Sequence, residues 1–294
     1  MARNLSLIPI MSAPKTILIP IDFSDISLKT LEYAADIAHK IDAELHVLHV
    51  METYQYNAAL GMVTDNTEPL RKEAEGLLDD FRSEHSKMWG LPLRTHLRNG
   101  KIYSEIIDMA KTLKPEFIVM STYGASGVKN LQKYFLGSNA YRVVNSAKCP
   151  VLTIRKPKKS PSFKNILVPI DITTATEQKV TRAVRWAKAF GATIHAISIS
   201  ETVDALRGRG RTAHKKLDEI AARIEAAGVK CEASHFYNKP VAETVMNYAE
   251  VRKMDVIFIM THKESGASTK FLGSTARTII EHSTVPVLSL HPKG

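Results

Sequence analysis

The sequence predicts an α/β protein made of two tandem copies of one small parallel-sheet domain. Three observations carry this: an ordered internal repeat, short apolar runs alternating with longer amphipathic ones, and a length of 294 residues. That length suits two domains of roughly 140 residues each better than one core. The repeat is read directly. Ile17–Asp22 (ILIPID) lies over Ile166–Asp171 (ILVPID), and Ala43–Val47 over Ala192–Ala196, both at an offset of 149. Ser126-Gly127 matches Ser265-Gly266 at 139, and Phe135–Ser138 matches Phe271–Ser274 at 136. Pro150–Leu152 matches Pro286–Leu288, again at 136. The falling offset places a deletion of ten residues after the second strand of copy two and of three more inside its glycine turn.

Each element follows from its pattern. In copy one the runs 16–21, 44–50, 117–120 and 151–154 are rich in Ile, Val and Leu. Continuous apolarity over so few residues marks strands covered on both faces. Leu28, Leu31, Ala34, Ala35 and Ala38 recur at helical spacing, as do Ile102, Ile106, Ile107 and Ala110. Leu91 to Leu97 alternates and reads as an outer strand. Strand-helix alternation is the pattern of βαβ units. Pro157 and Pro161, among lysines and serines, mark a linker. The expected division is residues 15–155 for the first domain, 156–164 for a basic linker and 165–292 for the second domain.

Composition excludes several classes. The apolar fraction of 44% and charged fraction of 24% are those of a globular chain. No apolar run nears the roughly 20 residues that span a bilayer. Residues 1–14 read as a poorly ordered leader, because Leu5–Met11 is broken by Pro9 and preceded only by Arg3. Two cysteines, Cys149 and Cys231, suit a reducing, cytoplasmic location. The net charge of +10 concentrates in Arg155-Lys156-Pro157-Lys158-Lys159 and in Arg207, Arg209, Arg211, Lys215 and Lys216. Nucleic-acid binders interleave aromatics among such cations, and none stand here. The clusters read as a solvated linker and a solvated helix start.

Chemistry belongs at the carboxyl ends of the strands, where an open parallel sheet reverses its order. In copy one Asp22 follows the first strand in Pro20-Ile21-Asp22-Phe23-Ser24. After the fourth strand come Met120-Ser121-Thr122-Tyr123-Gly124-Ala125-Ser126-Gly127, and then Gly137-Ser138-Asn139-Ala140 opens a helix. Glycines allow close backbone approach to a phosphate, and a helix start offers free N–H groups to an anion. The alternative is local: Asp22 and Ser24 cap the first helix and the glycines serve only the turn. No P-loop, nucleophile elbow or paired Cys-x-x-Cys is present. His46, His49 and His195 lie on apolar strands and read as core residues rather than as metal ligands.

These residues resemble the universal stress protein family. The resemblance rests on Pro20-x-Asp22, His49-Val50 closing the second strand, Val119-Met120 closing the fourth, the glycine turn, Gly137-Ser138 and Cys149-Pro150-Val151. It covers nearly all of both copies. It implies a five-stranded doubly wound domain of the adenine-nucleotide α-hydrolase-like type, with domains paired through their last strands, here Val151–Ile154 and Val287–Leu290. Many members bind ATP, commonly with Mg²⁺, through a Gly-x2-Gly-x9-Gly pattern followed by Ser or Thr. Carried over, Pro20, Asp22 and Val50 would face adenosine, and Gly124, Gly127, Gly137, Ser138 and Asn139 would line ribose and phosphates. Ile21, Ser24, Met120, Ser121, Thr122 and Ala140 complete the binding set that the resemblance implies. Gly124, Gly127 and Gly137 have the pattern's spacing. The family's first glycine ordinarily follows the methionine directly, whereas Ser121 stands there, and on that alignment the loop to Gly137 is three residues longer.

Copy two keeps Asp171, Ile199, Gly266, Gly273, Ser274 and Thr275, but has Met260 and Lys263 opposite Ser121 and Gly124. The expectation is a degenerate second glycine loop, with copy two serving mainly as the dimer partner of copy one. The function implied is ATP-dependent stress response or signalling without dedicated catalysis. A partner-binding scaffold without nucleotide, a slow ATPase and further pairing of tandem chains stay open.

Overall fold

The computed structural model describes residues 15–52, 68–123, 136–158, 161–171, 173, 175–200, 209–261 and 272–292. The leader reading of residues 1–14 falls outside them. Copy one runs β1 (Lys15–Ile21), α1 (Asp25–Ile41), β2 (Ala43–Met51), α2 (Glu68–Trp89), β3 (Leu93–Asn99), α3 (Ile102–Leu113), β4 (Phe117–Ser121), α4 (Ser138–Ser146) and β5 (Val151–Ile154). Copy two repeats it with β6 (Asn165–Ile170), α5 (Ala175–Phe190), β7 (Thr193–Ser200), α6 (Arg209–Ala226), β8 (Cys231–Tyr237), α7 (Val241–Val251), β9 (Val256–Met260), α8 (Ser274–His282) and β10 (Val287–Leu290).

Ten strands join in one sheet of order β3-β2-β1-β4-β5-β10-β9-β6-β7-β8. Within each copy the strands are parallel, and the order turns back between the first and fourth strands, which is the doubly wound topology. The copies meet where β5 and β10 pair antiparallel, with Leu152 opposite Leu288 and Thr153 opposite Val287. All strands of copy two therefore run against those of copy one at the junction. The central strands are buried on both faces, which is why they read as unbroken apolar runs: Ile17, Leu18 and Ile19 are fully sealed, as are Ile118, Val119 and Leu152. The outer strand of copy one starts at Leu93 rather than Leu91, because Pro92 precedes it and offers only its carbonyl, to Leu45 N at 2.9 Å.

One core layer spans both copies and contains a linker residue. Phe163 is fully buried, stacked edge-on against Tyr33 of α1 at 5.9 Å and Trp186 of α5 at 5.4 Å, and beside Phe190 at 5.0 Å. Pro161 is also buried, and its carbonyl accepts from Lys40. Arg155 donates to the Glu281 carbonyl at 2.7 Å. The linker expected to be solvated is thus partly structural: its lysines 156 and 158 face water, while Phe163 plugs the space between the two first helices. An aromatic of that size, sealed between helices, outweighs the hydration of its charged neighbours.

Candidate functional site

The end of β1 is organised by its own side chains. Phe23 turns the chain with a φ of 57°, and Ser24 becomes the N-cap of α1, its hydroxyl accepting from Ser27 N. Asp22 accepts from Ser24 N at 3.1 Å and from the Ser24 hydroxyl, while Asp22 N reaches the Ser27 hydroxyl. Ser24 therefore supplies the capping that sequence allowed to either residue, and Asp22 stays exposed at the strand end. Across the switch point, β4 ends in Ser121, whose hydroxyl donates to the Tyr123 carbonyl at 2.7 Å. Thr122 N donates to the Ile154 carbonyl, and the Thr122 carbonyl receives Gly137 N at 2.8 Å. That bond brings Gly137 so close that a Cβ there would lie 3.2 Å from the Thr122 oxygen. The start of α4, with its first-turn N–H groups, is thereby pinned over the strand ends.

A cleft of about 160 Å³ results. Pro20, Ile21, Asp22, Val50, Met120, Ser121, Thr122, Gly137, Ser138, Asn139 and Ala140 all line it. Ser24 acts one step back, on Asp22. Gly124 and Gly127 lie outside the described residues. Ser27, Leu48, Ile102, Ile106 and Tyr123 also line the cleft; sequence reading named Tyr123 only as part of the turn, marked Ile102 and Ile106 only as core, and did not single out Ser27 or Leu48. Thr122 is buried, and its Oγ1 has no hydrogen-bond partner. An unpaired hydroxyl inside a cleft is the kind of group a polar ligand satisfies.

Copy two rebuilds the same frame. Gly273 N donates to the Thr261 carbonyl at 3.0 Å, although a Cβ on Gly273 would lie an ordinary 3.7 Å from that oxygen. Asp171 accepts from Thr173 N at 3.0 Å and from the Thr173 and Thr176 hydroxyls. Asp171, Ile199, Gly273, Ser274 and Thr275 line a cleft of about 450 Å³, larger than that of copy one. Gly266 and Lys263, on which the expectation of degeneracy rests, lie outside the described residues. Sequence reading missed Lys179 and Ser198, which also line this cleft. Burial opposes the Asp171 charge, but Lys179 and the two threonine hydroxyls outweigh it and hold its carboxyl below the ordinary range.

Among the described residues, the histidines and cysteines do not converge on either cleft. His46 is buried, with Nδ1 at 3.0 Å from His96 Nε2, and His195 is buried with Nδ1 at 3.1 Å from the Tyr248 hydroxyl. His49 donates through Nδ1 to the Ile21 carbonyl at 3.0 Å. No group of three or more His, Cys, Asp or Glu is placed to hold a metal among the described residues. Burial pushes both thiols up to about 11, so Cys149 and Cys231 are protonated at neutral pH and poor nucleophiles.

The sequence profile of the universal stress protein family matches residues 14–155 and again residues 162–291. The chain belongs to the universal stress protein family. A family member of Methanocaldococcus jannaschii is 34% identical over 150 residues, covering 49% of this chain and 84% of its own. One from Synechocystis is 22% identical over 298 residues, 94% of this chain and 99% of that one, so it shares the tandem length. The crystal structure of a universal stress protein from Archaeoglobus fulgidus superposes with a TM-score of 0.75 at 23% identity, covering 96% of this chain and all of that one. The tandem universal stress protein fold is therefore shared over 96% of this chain. Among the described residues, no helix is long and apolar enough to cross a membrane.

Proposed function

We propose that this tandem universal stress protein binds ATP in its first domain and uses the nucleotide in stress response or signalling rather than in turnover. The observation that carries the reading is the opposition, across one cleft, of the Asp22 carboxylate and the Gly137-Ser138 start of α4, with the unpaired Thr122 hydroxyl in the same cleft. The two ends suit the two ends of a nucleotide. Asp22 accepts hydroxyl or amino donors of adenosine, and the α4 start offers N–H groups and a positive dipole end to phosphates. Mg²⁺ would arrive with the phosphates, as it usually does, since they supply its hard oxygen ligands. Mg²⁺ would offset part of the phosphate charge there, and the chain's own residues would hold and orient the nucleotide.

The test is isothermal titration of nucleotide-stripped protein with ATP and Mg²⁺. One site per chain is expected, together with a rise in stability of about 2.7 kcal/mol at a hundredfold excess over Kd. Gly137→Val, which pushes a branched side chain against the Thr122 carbonyl, is expected to abolish binding while leaving the far-ultraviolet circular dichroism unchanged. Wild-type affinity in that variant sinks the site.

A further inference from the structure

The helices that open the two clefts touch on the axis relating the copies. At the offset of 136, Tyr141 of α4 corresponds to Arg277 of α8, and the Arg277 guanidinium stands over the Tyr141 ring, 5.6 Å from its centroid. Leu152 and Leu288, equivalent at the same offset, face each other in the β5–β10 ladder. A position that meets its own equivalent marks a two-fold axis. Strand direction reverses across that axis. Each helix therefore begins at its own cleft, runs back along the sheet, and ends on the side where the other cleft opens.

The far end of each helix is held by the other copy. Arg155, directly after β5, donates through Nη1 to the Glu281 carbonyl in the last turn of α8, at 2.7 Å. His291, directly after β10, has Nε2 2.9 Å from the Asn145 carbonyl in the last turn of α4, and to that oxygen it can only donate. The two contacts are equivalent: Arg155 matches His291, and Asn145 matches Glu281, at the offset of 136. The near ends complete the path. In copy one Gly137 N donates to the Thr122 carbonyl, and Thr122 N donates to Ile154, the neighbour of Arg155, at 3.1 Å. In copy two Gly273 N donates to the Thr261 carbonyl, and Thr261 N donates to Leu290, the neighbour of His291, at 2.9 Å. Followed in order, Thr122, Ile154-Arg155, α8, Thr261, Leu290-His291 and α4 form a closed ring that passes through both clefts. Each helix has nine residues and so is a strut of roughly 13 Å, short enough to carry a shift from end to end.

We propose that the two clefts are coupled crosswise through this ring, so that a change at the start of α4 alters how firmly the start of α8 is held, and the reverse. The effect is reciprocal because coupling is a single free energy shared by the two sites. The second copy thereby registers the state of the first, although occupants of the two clefts never touch. The proposal goes beyond the nucleotide reading and does not rest on it, since a substitution in one cleft supplies the change in place of a ligand.

The experiment is amide hydrogen exchange of the nucleotide-stripped full chain, resolved by residue. Gly137→Ala, whose methyl meets the Thr122 oxygen at 3.2 Å, disturbs the first cleft. The Thr261 and Gly273 amides report the second. Their rates are taken relative to the central amides of β7, which report opening of the whole chain. Gly137→Ala is expected to speed Thr261 and Gly273 about threefold or more. In a chain that also carries Arg155→Met and His291→Phe, which remove both donors and keep their bulk, it is expected to leave them unchanged. Unchanged relative rates in Gly137→Ala, or the same rise in the chain without the two donors, overturns the proposal. Should that triple variant fail to fold, Gly137→Ala is combined with Arg155→Met alone and with His291→Phe alone. A full rise persisting in both then overturns it.

Discussion

Gly137 and Gly273 occupy matching places before α4 and α8, yet their surroundings differ by half an ångström. A methyl at Gly137 meets the Thr122 oxygen at 3.2 Å, and one at Gly273 meets the Thr261 oxygen at 3.7 Å. The N-cap penalty of alanine is common to both, so their difference isolates the contact. Gly137→Ala is expected to cost about 1 kcal/mol more than Gly273→Ala in urea unfolding. His195 makes a second residue-scale prediction. Burial lowers its pKa despite Glu232 nearby, so the folded state prefers the neutral ring and the unfolded chain binds more protons. The stability this contributes is full above the unfolded value of about 6.5 and is lost as pH falls through and below it. Replacing His195 by Gln should flatten the fall of Tm between neutral pH and pH about 5, whatever it does to Tm at pH 8. The site was partly legible at this scale. Motif order exposed Asp22 and Gly137, but Lys179 and Ser198 were hidden because they are departures from the repeat. Only comparing the copies position by position, with partners in view, gives such substitutions a meaning.

At the scale of elements, the linker carries the clearest correction. Charged residues around Pro157 and Pro161 dominate its composition, and composition says nothing about one phenylalanine sealed among Tyr33, Trp186 and Phe190. Phe163→Ala should cost about 3–5 kcal/mol by emptying that space. Because the plug touches both first helices, the loss should appear as one shifted unfolding transition of the whole chain, measured by fluorescence of Trp186. The strands, by contrast, were readable almost to the residue. Runs buried on both faces need no partner pattern to be recognised, and the edge strand β3 announced itself by alternation.

For the molecule as a whole, the β5–β10 junction makes each copy the cover of the other's last strand. A chain cut to residues 15–155 would bare the β5 edge and part of the shared apolar layer. Such a fragment is expected to dimerise through β5, and light scattering should return twice the monomer mass; a well-behaved monomer would show that the junction is dispensable. The pairing has a further consequence for traffic. Since strand direction reverses there, the two mouths face away from one another, and an occupant of either never meets its counterpart. A macromolecule resting on one rim leaves the opposite rim clear. The two clefts open at opposite ends of the strands of one sheet, so access to each is set by its own rim alone.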